Sequence, residues 1–275
     1  MRDTRGRPPV ALLLPAVLGG LFLILPLAGI LLRAPWSEIG TQLRSEQLRT
    51  SLRLSIQCAS LATLVSMILG IPLAWVLARA EFPGRAVLRA LVTLPLVLPP
   101  VVGGVALLYA FGRRGVLGQW LNEHLGISLP FTTTGVVVAE AFVAMPFLVI
   151  AVEGALRALD ERYEDAAATL GASRWFTFRH VTLPALGPGI AAGAVLCWAR
   201  ALGEFGATIT FAGNFPGTTQ TMPLAVYLAL QSSPEAALIL SLVLLAVSVL
   251  ILVALRERWA PGRAGGDRRT AARAW

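Results

Sequence analysis

The chain contains no lysine; all 23 of its basic residues are arginines. A nucleotide-binding phosphate loop of the form G-x-x-x-x-G-K-[ST] needs a lysine. The chain therefore holds no such loop, and any ATP-driven step would need a separate subunit. Charge of either sign is scarce: Asp, Glu, Lys and Arg make up 14% of the residues, against about 25% in an ordinary soluble domain. That is too little to cover the surface of a soluble protein of this length. Cysteine is limited to Cys58 and Cys197, which excludes a disulfide framework or a thiolate metal centre. Both lie in apolar runs and read as small buried hydrophobes. The two histidines, His124 and His180, fall in predicted loops without an H-E-x-x-H pattern, so neither reads as a metal ligand.

What the chain has in abundance is apolar length. Hydrophobic residues make up 56% of it. Six runs, at 10–32, 52–78, 87–111, 134–156, 188–211 and 235–255, are long enough to cross a hydrocarbon core of about 30 Å. The third carries Pro95, Pro99 and Pro100 and is expected to be kinked or broken. The formal net charge of +8 can accompany nucleic-acid binding. Here, however, the arginines sit in short loops between apolar runs, which fits orientation in a bilayer and not a nucleic-acid face. With the N-terminus in the cytoplasm, sixteen arginines fall on the cytoplasmic side and six outside, and Arg200 lies within a run. That bias predicts that both termini are cytoplasmic. The basic start (Arg2, Arg5, Arg7) and the run that follows resemble a signal peptide in order, but the run exceeds the roughly 7–15 residues of a signal core. It is read as a retained first membrane helix.

The domain reading follows. Residues 1–50 form an N-terminal stub, the first membrane helix and an outer loop; 51–255 form the core; 256–275 form an Arg-rich cytoplasmic tail over anionic lipid or solvent. Two loops stand out within the core. The cytoplasmic one, 157–187, begins with Asp160, Glu161, Glu164 and Asp165 and continues through helix-forming alanines. The outer one, 212–234, has Gly, Pro and Thr but no charge, and is expected to fold down against the membrane helices.

The cytoplasmic loop reads D-A-A-A-T-L-G at 165–171, then nine residues, then V-T-L-P at 181–184. This resembles the E-A-A-x-x-x-G, nine residues, I-x-L-P signature of bacterial ABC importer permeases, with Asp165 for the usual Glu and Val181 for the usual Ile. Neighbouring alanines on a short helix allow close backbone approach, Gly171 permits a sharp helix exit, and Pro184 is expected to stop the second helical segment. The resemblance implies a coupling helix seated in a groove of the ATPase subunit, with Asp165, Ala166, Ala167, Gly171, Val181, Leu183 and Pro184 as the coupling residues.

A second stretch, R-A-L-G-E-F-G-A-T-I-T-F at 200–211 followed by 212–227, looks like the permeases of oxyanion importers, molybdate permeases in particular. The segments 94–102 and 112–118 are similar to that group as well. Sulfate permeases share the R-A-L-G-E-F-G element. Arg200 and Glu204 are four apart, so on a continuous helix they share one face and can pair, with Thr208 continuing that face. Charge at membrane depth is expensive and usually functional. Two readings stand side by side, a polar stripe along the anion path and a buried pair that fixes helix packing. Glu140 and Glu153 have no evident charged partner in their own helix and are read as reaching the interface. Gly189 and Gly193 form a G-x-x-x-G pair suited to close helix contact, between copies or within one chain.

The fold class expected is thus an all-α membrane protein of about six transmembrane helices, resembling the type I ABC importer permease bundle. The resemblance implies a second copy of this chain, two copies of an ATPase carrying ATP and Mg²⁺, and a soluble binding protein, with no cofactor on this chain and molybdate or tungstate as cargo. Sulfate or thiosulfate import is the alternative. A secondary transporter should show internal repeats, and a membrane enzyme should show a nucleophile–base pair or metal motif within the runs. Neither is visible in the sequence.

Overall fold

The computed structural model describes residues 10–160 and 162–259; the far N-terminal stub and the tail beyond 259 lie outside the described residues. Among the described residues the backbone is helical and contains no strand. The helices are α1 (Val10–Arg33), α2 (Ile39–Gln42), α3 (Glu46–Arg79), α4 (Arg85–Val97), α5 (Pro100–Phe111), α6 (Gly118–Leu125), α7 (Thr133–Ala158), α8 (Arg162–Thr169), α9 (Arg174–Thr177), a π-helical turn (Phe178–Thr182), α10 (Leu183–Ala185), α11 (Gly187–Leu202), α12 (Gly206–Ala212), α13 (Met222–Ser232) and α14 (Pro234–Trp259).

Four of these, α1, α3, α7 and α14, are long and apolar enough to cross a membrane unbroken. Arg174–Ala185 and α11 form an apolar helix pair bent by 69°, which brings the count to five if the pair is taken as one broken span. The expected count of six is therefore approximate, because two of the apolar runs are broken. The third run breaks at Leu98 and Pro99, both in extended backbone with ψ of 132°. Each precedes a proline, whose ring disfavours helical backbone in the residue before it. Pro100 then starts α5, where its missing N–H costs nothing. The fifth run breaks at Gly203–Phe205, which separates α11 from α12.

The centre of the molecule is α3 packed against α7 and α11. The core mixes large aliphatics such as Leu77, Leu148 and Leu156 with small residues: Ala59, Ala62, Ala74, Ala144 and Ala201 are fully buried. Cys58 and Cys197 are buried free thiols in the same core, as read from the sequence. The G-x-x-x-G pair serves packing within the chain. A Cβ on Gly189 would lie 2.5 Å from the Ala155 Cβ, and one on Gly193 would lie 3.0 Å from the Ala151 Cβ, both on α7. Apolar residues of α1 such as Phe22 (77% exposed) and Leu25 (72%) face outward, the surface expected towards lipid tails. α1 packs on α14.

Side-chain caps set the starts of the two longest core helices: Ser45 accepts from the Leu48 N–H at 3.4 Å, and Thr132 accepts from the Gly135 N–H at 3.0 Å. The uncharged loop at 212–234 folds onto the bundle as expected. Thr219, Gln220 and Thr221 are buried, the Met222 N–H donates to Ser55 Oγ at 2.7 Å, and the Thr133 hydroxyl donates to the Thr218 carbonyl at 2.8 Å. The loop also contains α13, which packs on α14 and α3.

Candidate functional site

Two regions carry the polar chemistry. The first is the loop that the sequence motif marks. α8 begins with Glu164 and Asp165 in its first turn, where carboxylates complement the positive end of the helix dipole. It ends in a two-bond C-cap: the Ala172 N–H donates to the Ala167 carbonyl and the Gly171 N–H to the Ala168 carbonyl, both at 3.0 Å. This closure places the residue at 171 in left-handed backbone, and Gly171 has φ +82° with open space where a Cβ would be. Asp165, Ala166, Ala168, Leu170 and Gly171 are exposed, Ala167 is half-buried, and Leu170 stands 88% exposed. α8 therefore presents a nearly bare backbone edge to the outside.

Beyond the turn, Ser173 caps α9 by accepting from the Phe176 N–H at 3.3 Å. Val181 and Leu183 are half-buried and Pro184 is exposed. The helical segment ends at Ala185, one residue past Pro184, and bends by 69° into α11, so it stops before the next membrane run as expected. Pro184 fits inside its last turn because the π register carries the Leu183 N–H back to the Phe178 carbonyl, so the α-helical ladder that proline would interrupt is already displaced.

Ion pairs tie this loop to the bundle. Glu164, not singled out as an anchor by the sequence, pairs with Arg79 at the end of α3 (3.4 Å) and accepts from the Thr182 hydroxyl (2.8 Å). Close by in the fold, Glu153 is buried between Arg89 and Arg157, each at 2.6 Å. The reading of Glu153 as reaching the interface without a partner in its own helix is overturned, since Arg157 sits one turn further along α7. Arg85 and Arg89 also donate to the Leu77 carbonyl at the end of α3. Seven arginines, at 79, 85, 89, 157, 162, 174 and 179, thus fall in or beside the loops at this end of the bundle.

The second region is the break between α11 and α12. Arg200 Nη1 meets Glu204 Oε2 at 2.6 Å. The pair forms, but not on one continuous helix: Glu204 lies beyond the end of α11, and its other oxygen accepts from the Ala207 N–H at 2.9 Å. Glu204 therefore holds Arg200 and caps α12 at once. Glu204 is 1% exposed and Thr208 is fully buried, whereas the Arg200 side chain keeps 28% exposure. Thr210 spends its hydroxyl on the Gly206 carbonyl at 2.8 Å. Glu140 on α7 is buried as well (1% exposed), which corrects its reading as an interfacial residue. α12 crosses α5 at close range: a Cβ on Gly206 would lie 2.7 Å from the Pro100 Cβ, and one on Gly104 would lie 2.6 Å from the Thr210 Cβ. The two histidines remain in local roles, His124 stacked on Trp120 and His180 stacked on Phe176.

Comparison with known proteins bears on both regions. Residues 70–260 match the family described as binding-protein-dependent transport system inner membrane component. The molybdenum transport system permease protein ModB of Mycobacterium tuberculosis is 48% identical over 247 residues, covering 89% of this chain and 92% of that protein. The sulfate transport system permease protein CysT of Escherichia coli is 38% identical over 240 residues, covering 86% of each. Among solved structures, a bacterial ABC transporter involved in the import of the acidic polysaccharide alginate superposes with a TM-score of 0.73 at 20% identity. That match covers 91% of this chain and 95% of the other.

Proposed function

The chain belongs to the family of binding-protein-dependent transport system inner membrane components, and on that premise we propose that it forms the translocation path of an ATP-driven importer of molybdate, with tungstate as a second cargo. It is a multi-pass inner-membrane transport subunit of an ABC importer, not an enzyme. The observation that carries the choice of anion is the higher identity to a molybdenum permease, 48% against 38% for a sulfate permease, over similar shares of the chain. Molybdate, tungstate and sulfate are all tetrahedral dianions, so electrostatics alone would admit any of them.

In this reading two copies of the chain enclose the path, and two copies of a separate ATPase bind ATP and Mg²⁺. A soluble binding protein delivers the anion from outside. The exposed edge of α8, with Asp165, Ala166 and Gly171, is the docking surface for the ATPase. Ala167, Val181 and Leu183 seat the loop against the bundle, and exposed Pro184 lies before the bend. Of the three residues at the α11–α12 break, Arg200 alone keeps exposure, so it is the one that meets the passing anion. Glu204 and Thr208 shape the break behind it. Weak contact suits a path, because a deep site would slow release.

The same reading places both termini and the 157–187 loop in the cytoplasm, supported by the arginines gathered at that end. A topology reporter fused after Ser173 should give a cytoplasmic signal; a periplasmic signal would reverse the orientation and remove α8 from any ATPase. The substrate is tested in cells. Deleting the gene should lower cellular molybdenum at nanomolar supply, with recovery when the gene is restored or molybdate is added in excess. Unchanged molybdenum together with a growth requirement for reduced sulfur would move the assignment to sulfate.

A further inference from the structure

The coupling surface of α8 needs a rigid connection to the helices it is to move, and the Schellman turn at Gly171 does not supply one. That turn is local to α8. The connection is made by Glu164. Its Oε2 faces Arg79 Nε at 3.4 Å, and its Oε1 accepts from Thr182 Oγ1 at 2.8 Å. One carboxylate therefore joins three elements: the first turn of α8, the last residue of α3, and the π-helical turn that leads through α10 into α11.

The burial of these groups makes the junction stiff. Thr182 is 1% exposed, the Arg79 side chain 11% and the Glu164 side chain 24%. The Thr182 contact is a charge-assisted hydrogen bond to a largely shielded carboxylate, among the stronger side-chain contacts, and Arg79 adds an ion pair. The aromatic edge contact of Trp75 on α3 with Phe178 in the π turn lies on the same side. By contrast the next residue, Asp165, is exposed and free to face a partner. Adjacent carboxylates on α8 thus divide the work, one outward and one inward.

We propose that Glu164 is a positioning residue that carries the displacement of α8 into α3 and α11 together, so that movement of a docked ATPase is delivered to the core helices. This rests on the reading of α8 as the ATPase docking helix. Without Glu164, α8 can still be held by an ATPase, but its motion is taken up in the turn at 170–173 and not passed on.

The test uses the full transporter, the chain with its ATPase, reconstituted in liposomes with its binding protein and molybdate. Glu164→Ala and Thr182→Val should retain the ATPase on purification and keep hydrolysing ATP. Anion taken up per ATP hydrolysed should fall about tenfold for Glu164→Ala, in the range usual for lost coupling between sites, and less for Thr182→Val. The swap Arg79→Glu with Glu164→Arg should recover much of the ratio, a rescue that a merely space-filling role would not give. An unchanged ratio in Glu164→Ala overturns the proposal. So does loss of ATPase binding in that variant, which would make Glu164 a docking contact. Failure of the wild-type chain to hold any ATPase would instead overturn the docking reading beneath it.

Discussion

Replacing Arg200 by alanine should destabilise the protein by about 3–5 kcal/mol, the cost typical of leaving one member of a buried ion pair without its partner. Glu204 is 1% exposed, and with Arg200 gone it keeps only the Ala207 N–H, at 2.9 Å. Replacing Glu204 should cost less on the charge side, because the Arg200 side chain retains 28% exposure and can turn to water. It should also loosen the start of α12, whose cap is lost; Glu204→Gln, which keeps an acceptor for Ala207, separates the two effects. The double replacement by alanine should be milder than Arg200→Ala alone. Thermal unfolding in detergent and folded membrane level across the four proteins would show this non-additivity. Strict additivity would mean that the two side chains do not act on one another. Uptake adds a second readout: if Arg200 meets the anion, the double variant should regain stability without regaining transport.

The sequence made the long spans legible because hydropathy is a direct readout of lipid contact: α1, α3, α7 and α14 each coincide with an apolar run. The break at Pro99 was legible too, since two successive prolines force extended backbone on the residues before them. The break at Gly203–Phe205 was not. Hydropathy runs through it, and what shapes it is tertiary: Gly206 pressed on Pro100, and a carboxylate that turns back to cap the next helix. The pairing of Arg200 with Glu204 survived in fact but changed in kind, from a helix-face contact to a bridge across a break. For Glu153, the i,i+4 spacing to Arg157 is legible in the sequence, whereas Arg89 lies 64 residues away and no local pattern points to it. The loop motif identified α8 but not its rotation, so of two adjacent carboxylates the sequence marked Asp165 and passed over Glu164, the one that faces inward. Gly189 and Gly193 left open whether their partner is a second copy or the same chain. The near-contact with Ala155 and Ala151 assigns them to α7.

If an external ATPase drives anion passage through this chain by way of α8, Gly171 offers the sharpest handle on that coupling. At φ +82° any L-residue is strained, by about 1–2 kcal/mol, yet the space around a Cβ there is open. Gly171→Ala carries the backbone penalty with little bulk and should keep partial function. Gly171→Trp carries the same penalty plus a ring projecting into the space the ATPase is to fill. The decisive measurement is molybdate uptake by liposomes holding the chain with its ATPase and binding protein, with and without internal ATP, for wild type and Gly171→Trp side by side. Wild type should accumulate molybdate in an ATP-dependent way. Gly171→Trp should show background uptake and lost ATPase copurification, at normal membrane levels. Accumulation by wild type without ATP or ATPase, or full uptake and normal ATPase retention in Gly171→Trp, would contradict that coupling.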